Sequence, residues 1–352
     1  MTNDVYERLA QALDRLPNGF PRTPSRVEIE ILKRIFSHDE ASLAVQLRGT
    51  LEPVDAIAER IGESTSELRG ALMNMARRGL VWFDKEAGKP RFRLAPFIVG
   101  IYEAYLEEMD HEFAHLVDQY MLDGGAQGIM KPQPALHRVV PAQSAVKSEW
   151  ILPYDDVRSI LLESKAFGVR DCICRVQQEK IGRRRCDFPL RICLNFSSIE
   201  RPAGGDDISQ DEALAILDKA EEIGLVHTVS NVAKGIGYVC NCCGCCCGIL
   251  RGITEWGIEN SVACANYYAV IDPDECSGCN VCIERCQVNA ISERDGVSVV
   301  QRERCIGCGL CATGCPDDVA RLQRKPDSEI VHPPEDFAEW EHERLKHRAL
   351  TE

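Results

Sequence analysis

Apolar residues recur at three- and four-residue steps through several stretches of this chain, and alternate in a few others. Residues 1–16 read as a short helix, stopped by Pro17-Asn18-Gly19-Phe20-Pro21. Residues 26–36 read as a second helix, and residues 52–62 as a third that ends at Gly62. Ser64 and Glu67 form a capping-box pattern that opens another helix, running through Arg78. Leu80 to Phe83 and Arg91 to Leu94 read as two strands about a turn at Ala87-Gly88-Lys89. Ile101, Tyr105, Met109, Phe113, Leu116 and Tyr120 then fall on one stripe of a single long helix over residues 97–122. Gly124-Gly125 closes it, and Pro132, Pro134 and Pro141 mark a linker. Further helices are expected over 153–166 and 209–223, the latter opened by Ser209 and Glu212 and closed by Gly224. Residues 335–350 read as a solvated helix.

The helix, helix, hairpin order over residues 25–95 resembles the winged helix-turn-helix domains of bacterial regulators of the multiple-antibiotic-resistance class. The expected fold is α+β and multidomain. It comprises a winged helix-turn-helix-like domain (1–96), a long helix with a Pro-rich linker (97–144), a cysteine-rich α+β domain (145–265), a two-cluster ferredoxin-like domain (266–325) and a charged tail (326–352).

Charge changes this picture. The 352 residues carry a net charge of −14, which argues against a chain built to grip nucleic acid. From residue 24 to 95, twelve Lys and Arg stand against eleven Asp and Glu. DNA affinity rests on phosphate contacts, so DNA is a weaker expectation here than a docking or dimerising role. Arg69, Asn74, Arg77 and Arg78 are the side chains that could face a groove. The homodimer would form through the winged helix and residues 97–122. No apolar run approaches the ~20 residues that span a bilayer, so no membrane insertion is expected. The start, MTNDVYERLA, carries no signal-peptide pattern. The reading is cytoplasmic, where thiols stay reduced and clustered cysteines mean metal.

All 19 cysteines lie at or beyond Cys172. Eight of them form two copies of one pattern, Cys276, Cys279, Cys282, Cys286 and Cys305, Cys308, Cys311, Cys315, offset by 29 residues. This is the bacterial two-cluster ferredoxin spacing, in which the fourth cysteine of each run ligates the other cluster. Two [4Fe-4S] clusters are expected, one on Cys276, Cys279, Cys282 and Cys315, the other on Cys305, Cys308, Cys311 and Cys286. Gln287 stands where the first run usually has proline, and Asp317 and Asp318 follow the second. Negative charge beside a cluster disfavours its reduced form, so a low potential is expected.

Ten more cysteines fall in two groups: Cys172, Cys174, Cys186, Cys193, and Cys240, Cys242, Cys243, Cys245, Cys246, Cys247. Cys264 stands apart. Soft thiolates select iron–sulfur centres and zinc alike. A further iron–sulfur cluster, a zinc site, and a redox-thiol or substrate site are all open, and the neighbouring ferredoxin runs favour iron. Six thiols in eight residues are too many for one cubane. The run is therefore expected to share a centre with cysteines of the first group. Cys245, Cys246 and His227 are the candidate catalytic residues. Arg175 and Arg183-Arg184-Arg185 could offset thiolate charge or hold an anionic substrate, and the triple arginine reads first as a solvated loop. The order of these runs, ahead of a ferredoxin, resembles a group of iron–sulfur proteins of anaerobic bacteria over about residues 135–325. The resemblance implies a low-potential electron-transfer or reductase role.

Residues 111–115 read His-Glu-Phe-Ala-His, the H-E-x-x-H spacing, with His111 and His115 as candidate zinc ligands. No G-x-G-x-x-G or Walker loop occurs. The leading expectation is an iron–sulfur oxidoreductase or electron-transfer subunit that works with a redox partner protein. A redox-sensing transcription regulator is the alternative, and a zinc metallohydrolase through His111 and His115 the third.

Overall fold

The computed structural model describes residues 4–201 and 204–350. It mixes helix and sheet and divides into two compact units, Met1–Pro132 with Arg344–Glu352, and Gln133–Glu343.

In the first unit, helices Val5–Asp14, Val27–Ile35 and His38–Ala44 precede helices Val54–Ile61 and Thr65–Arg77. Strands β1 (Glu52–Pro53), β2 (Val81–Glu86) and β3 (Lys89–Leu94) form a sheet in the order β1-β3-β2. Ala87 and Gly88 both take positive φ, the tight hairpin turn that matches strand twist. The capping box expected at Ser64 does not form, because Ser64 Oγ pairs with Ser66 Oγ at 3.1 Å. A box forms instead at Ser37 and Glu40, opening a helix that the pattern did not reveal.

The single helix expected over residues 97–122 is broken. Backbone at Ile98, Val99 and Gly100 is non-helical, and Asp110 caps a fresh helix, His111–Tyr120, by accepting from Phe113 N at 2.8 Å. The stripe survives the break. Ile101, Tyr105, Met109, Phe113 and Tyr120 are buried within the chain's own core. The tail helix, Phe337–His347, is not simply solvated. Arg344 is fully buried and donates to the carbonyls of Pro17, Ile129 and Pro132.

The second unit is built on a five-stranded antiparallel sheet, order β4-β7-β8-β6-β5. Its strands are β4 (His137–Val140), β5 (Ala166–Asp171), β6 (Arg191–Ser197), β7 (Val226–Ser230) and β8 (Tyr238–Cys242). β4 falls in the stretch read as linker. Side chains alternate between the two faces of a strand. One face carries Val140, Phe167, Val169, Leu194, Phe196, Val229 and Val239, covered by helices Val157–Glu163 and Gln210–Ile223. That is the apolar core. The register puts His137, Thr228, Ser230, Cys193, Tyr238, Cys240 and Cys242 on the other face. The same unit ends in a smaller fold, with β9 (Tyr267–Ile271) antiparallel to β12 (Ala320–Arg324) and a hairpin of β10 (Ile291–Arg294) and β11 (Val297–Val300).

Candidate metal centres

Two cavities lie in the smaller fold. Cys276, Cys279, Cys282 and Cys315 line one, and Cys286, Cys305, Cys308 and Cys311 line the other. Each fourth cysteine thus crosses to the other run's loop. Gly278 and Gly307 hold equivalent places in the repeat, with φ of +71° and +73°. A Cβ would meet Gly296 O at 2.3 Å in the first and Tyr267 O at 2.4 Å in the second, so both loops require glycine. Ala290 N donates to Cys286 Sγ at 3.1 Å, and Ala269 N to Cys305 Sγ at 3.4 Å. Backbone hydrogen bonds from Ser298 and Gly278 hold Cys276 below its ordinary pKa, whereas burial pushes Cys311 up to about 12. Cys279, on the lining of the first cavity, is exposed, and Asp317 lines the same cavity while accepting from Ser277 Oγ at 2.6 Å.

The ten central cysteines gather into two sets. Six form a closed ring of hydrogen-bonding neighbours: Cys172, Cys174, Cys247, Cys242, Cys240, Cys193 and back to Cys172. Strand alternation builds part of it, placing Cys193, Cys240 and Cys242 on one face of the sheet. Cys172 and Cys174 arrive where β5 turns into helix Ile173–Lys180, and Cys247 where helix Gly248–Thr254 begins. Hydrogen bonds from Cys174 and Cys193 hold Cys172 well below the ordinary thiol range. Those from Cys240 and Cys247 bring Cys242 down to about 6. Six thiols exceed the four ligands of one tetrahedral ion, and the all-sulfur donor set suits iron–sulfur chemistry.

Cys186, Cys243, Cys245 and Cys246 form the second set. Neighbouring sulfurs lie 3.6 to 3.9 Å apart. Zn–S bonds of about 2.3 Å give a tetrahedral edge of about 3.8 Å, so the four fit a single ion. In a cubane each thiolate binds its own iron, which spreads the sulfurs beyond contact. The set packs against Ile192, Ala220 and Leu225, in a cluster separate from the main core.

The structure brings Cys245 and Cys246, two of the candidate catalytic residues, into this four-thiol set. Were the set to close on one ion, no position would stay open for a substrate. His227 pairs with Asn241 across β7 and β8, on the face opposite Cys240 and Cys242. Its Nδ1 lies 2.6 Å from Asn241 Oδ1 and its Nε2 3.4 Å from Glu221 Oε1, so it braces the sheet rather than facing the ring. His111 and His115 are exposed and stack edge-on at 4.5 Å, and Glu112 pairs with Arg34 at 2.7 Å. No third ligand atom joins them among the described residues.

Several side chains tie the centres together. Arg175 is fully buried and donates to Asn241 O at 2.8 Å and Pro189 O at 3.1 Å. Burial alone would push its pKa down, but Cys172, Cys243 and Cys242 together hold it above the ordinary value. The guanidinium therefore serves both thiol sets, and its Nε has no hydrogen-bond partner among the described residues, leaving a donor for a bound sulfur. Gln287 explains its departure from proline: Gly244 N donates to its Oε1 at 2.9 Å, and its Nε2 donates to Gly224 O at 3.0 Å. Arg285 donates to Glu221 O and Glu222 O at the end of helix Gln210–Ile223, and to Leu310 O, all at 2.8 Å. Cationic donors suit a helix C-terminus. Arg285 and Gln287 flank Cys286, so the second ferredoxin cavity is pinned to the central domain. Sequence reasoning missed Arg285 and Gly244; their places beside Cys286 and between Cys243 and Cys245 were the available signals.

A buried polar chain also leads from the ring. Thr228 Oγ1 lies 3.5 Å from Cys242 Sγ and 3.2 Å from His137 Nδ1, and Tyr238 Oη lies 2.9 Å from His137 Nε2. Burial pushes His137 down from 6.5 to about 4. The unfolded chain takes up this proton below 6.5 and the folded chain only near 4, so stability is lost as pH falls through that window. At about 1.4 kcal/mol per pH unit the loss is about 3 kcal/mol. His137→Gln is expected to lack this part of the acid loss in denaturant titrations, and an equal loss in both proteins would sink the assignment.

Among the described residues no helix is long and apolar enough to cross a membrane. The family model of the 4Fe-4S dicluster domain matches residues 268–316, a span that holds all eight ferredoxin cysteines. No curated protein and no solved structure matches the chain. The chain therefore carries a 4Fe-4S dicluster domain, and its cysteine-rich sites suit iron–sulfur electron transfer.

Proposed function

We propose that the chain is an iron–sulfur oxidoreductase in which the ferredoxin cysteines and the six-thiol ring hold redox groups in series. The observation that carries this reading is the sorting of ten cysteines into a ring of six and a tetrahedron of four. When bound, the groups supply single-electron transfer. Exposed Cys279 gives a redox partner protein access to the first cavity, and Arg285 and Gln287 hold the second against the central domain. The four-thiol set holds a structural ion, zinc by its geometry. Asp317 at the first cavity supports a low potential. The likeness of the cysteine runs to iron–sulfur proteins of anaerobic bacteria points the same way, and reduced thiols suit a cytoplasmic setting.

Metal counts on anaerobically purified full-length protein test the reading. Iron clearly above about eight per chain, the content of two cubanes, is expected, with about one zinc. Iron at about eight and no further redox signal would remove the third centre. The redox-sensing regulator remains the second reading, favoured by the helix, helix, hairpin order of residues 52–94. Arg78, however, already donates to Ile35 O at 2.7 Å and pairs with Glu40. Tight, salt-sensitive binding to a DNA duplex that changes on oxidation would favour the regulator.

A further inference from the structure

Arg183, Arg184 and Arg185 read as a solvated loop in the sequence, but the structure folds them around a cleft. Gln178, Arg251 and Glu255 complete its lining. The cleft offers about 320 Å³, at the lower end of the roughly 300–1,000 Å³ range of small-ligand sites. Arg184 is engaged within its own loop, pairing with Glu179 at 3.2 Å and donating to Phe188 O, which leaves Arg183, Arg185 and Arg251 beside the one lining carboxylate, Glu255, in a chain whose net charge is −14. The loop is held in shape, because Arg184 Nε donates to Cys186 O at 2.9 Å. Arg251 is only 5% exposed, pairs with Glu255 at 2.7 Å and lies 4.7 Å from the Trp256 ring centre. Arg185 also pairs with Glu255, so one carboxylate balances two guanidiniums. Gln178 is 2% exposed, and its Nε2 has no hydrogen-bond partner among the described residues. A concave site rich in planar donors and poor in acceptors suits an oxyanion.

Its position gives the cleft a role. Gln178 follows Cys174 by four residues in helix Ile173–Lys180, and Arg251 follows Cys247 by four, with Arg251 N bonded to Cys247 O at 2.8 Å. Residues four apart share a helix face, about 6 Å along the axis. Cys174 and Cys247 are neighbours in the ring. Both helices therefore lead from one edge of the ring to the cleft in a single turn.

We propose that this cleft binds a small organic oxyanion, a carboxylate or phosphate, as the substrate presented to the Cys174–Cys247 edge of the ring. The substrate role rests on the oxidoreductase reading above. Calorimetric titration of the full-length holoprotein with succinate and with inorganic phosphate, at constant ionic strength, tests it. One saturable site per chain is expected for at least one probe, with none for chloride. The two probes separate a carboxylate from a phosphate ligand. Arg183→Ala with Arg185→Ala is expected to weaken binding about tenfold or more, the worth of a charge-assisted hydrogen bond. Glu255→Gln is expected to tighten it several-fold. Unchanged metal content shows that the variants fold. The bound probe is expected to shift the paramagnetic signal of the ring and not those of the ferredoxin clusters. No saturable binding, or equal binding in wild type and both variants, overturns the site. Binding that leaves the ring signal unmoved overturns the substrate role. A ring that holds no iron yet binds the probe overturns the oxidoreductase reading and leaves the cleft standing.

Discussion

Replacing Cys242 with alanine is expected to strip the six-thiol ring of its metal while both ferredoxin clusters stay in place. Cys242 touches Cys240 and Cys247 within the ring and lies 3.5 Å from Thr228 Oγ1. Hydrogen bonds from Cys240 and Cys247 hold its pKa below the ordinary thiol value, which favours the metal-binding thiolate. Its loss also removes charge that compensates buried Arg175. Outer-shell substitutions cost roughly 10–100-fold in metal affinity, so loss of a direct ligand is expected to cost at least about 100-fold. Electron delivery to the acceptor should fall with it. Iron counts and low-temperature spectra check both halves of the expectation. Cys279→Ala provides the converse control, since it damages a ferredoxin cluster and leaves the ring intact. Full iron content and full turnover in the Cys242 variant would rule out the ring as a centre.

Gly244→Ala is the second large effect. A Cβ at this position would lie 1.9 Å from Gln287 O and 2.9 Å from Gln287 C. Both atoms are backbone, so no side chain can rotate away. The loop that carries Cys243 and Cys245 must move, and with it the residue after Cys286. A cost of about 3–5 kcal/mol is expected, at the upper end for single substitutions. Loss of the four-thiol ion and slower transfer from the ferredoxin clusters should follow. Gln287→Ala is the milder comparison. It removes the bonds to Gly244 N and Gly224 O and is expected to cost about 1–3 kcal/mol, at roughly 1 kcal/mol for each bond. Denaturant titration with zinc analysis separates the two. Equal stability of Gly244→Ala and wild type would show that the loop relaxes freely.

The ferredoxin ligands were legible because their spacing is short and local: a three-cysteine loop can be read without knowing the rest of the fold. The partition of the other ten cysteines was not. It depends on the pairing of β7 with β8 and of β8 with β6, contacts between residues 12 to 45 positions apart. Once that register is known, alternation alone sends Cys240 and Cys242 to one face and Asn241 to the other. The break at Asp110 was hidden because both pieces keep their apolar stripe in phase. Its one local signal was the aspartate itself, a good N-cap ahead of His111. β4 was masked by the prolines that flank its four residues. In the tail, Trp340 is buried, with its Nε1 donating to Ala135 O at 3.0 Å, and Arg344 is buried in turn, partners that charge composition concealed.

Cys242 and Cys243 are adjacent in the chain, as are Cys246 and Cys247, yet each pair is split between the ring and the four-thiol set. The two centres are therefore joined by two single peptide links. On the proposed reading, maturation would then have an order. An ion closing the four-thiol set would fix the backbone on which Cys242 and Cys247 stand, and so half-build the ring before any iron arrived. In a cell short of zinc, the first casualty would be an iron centre that zinc never touches.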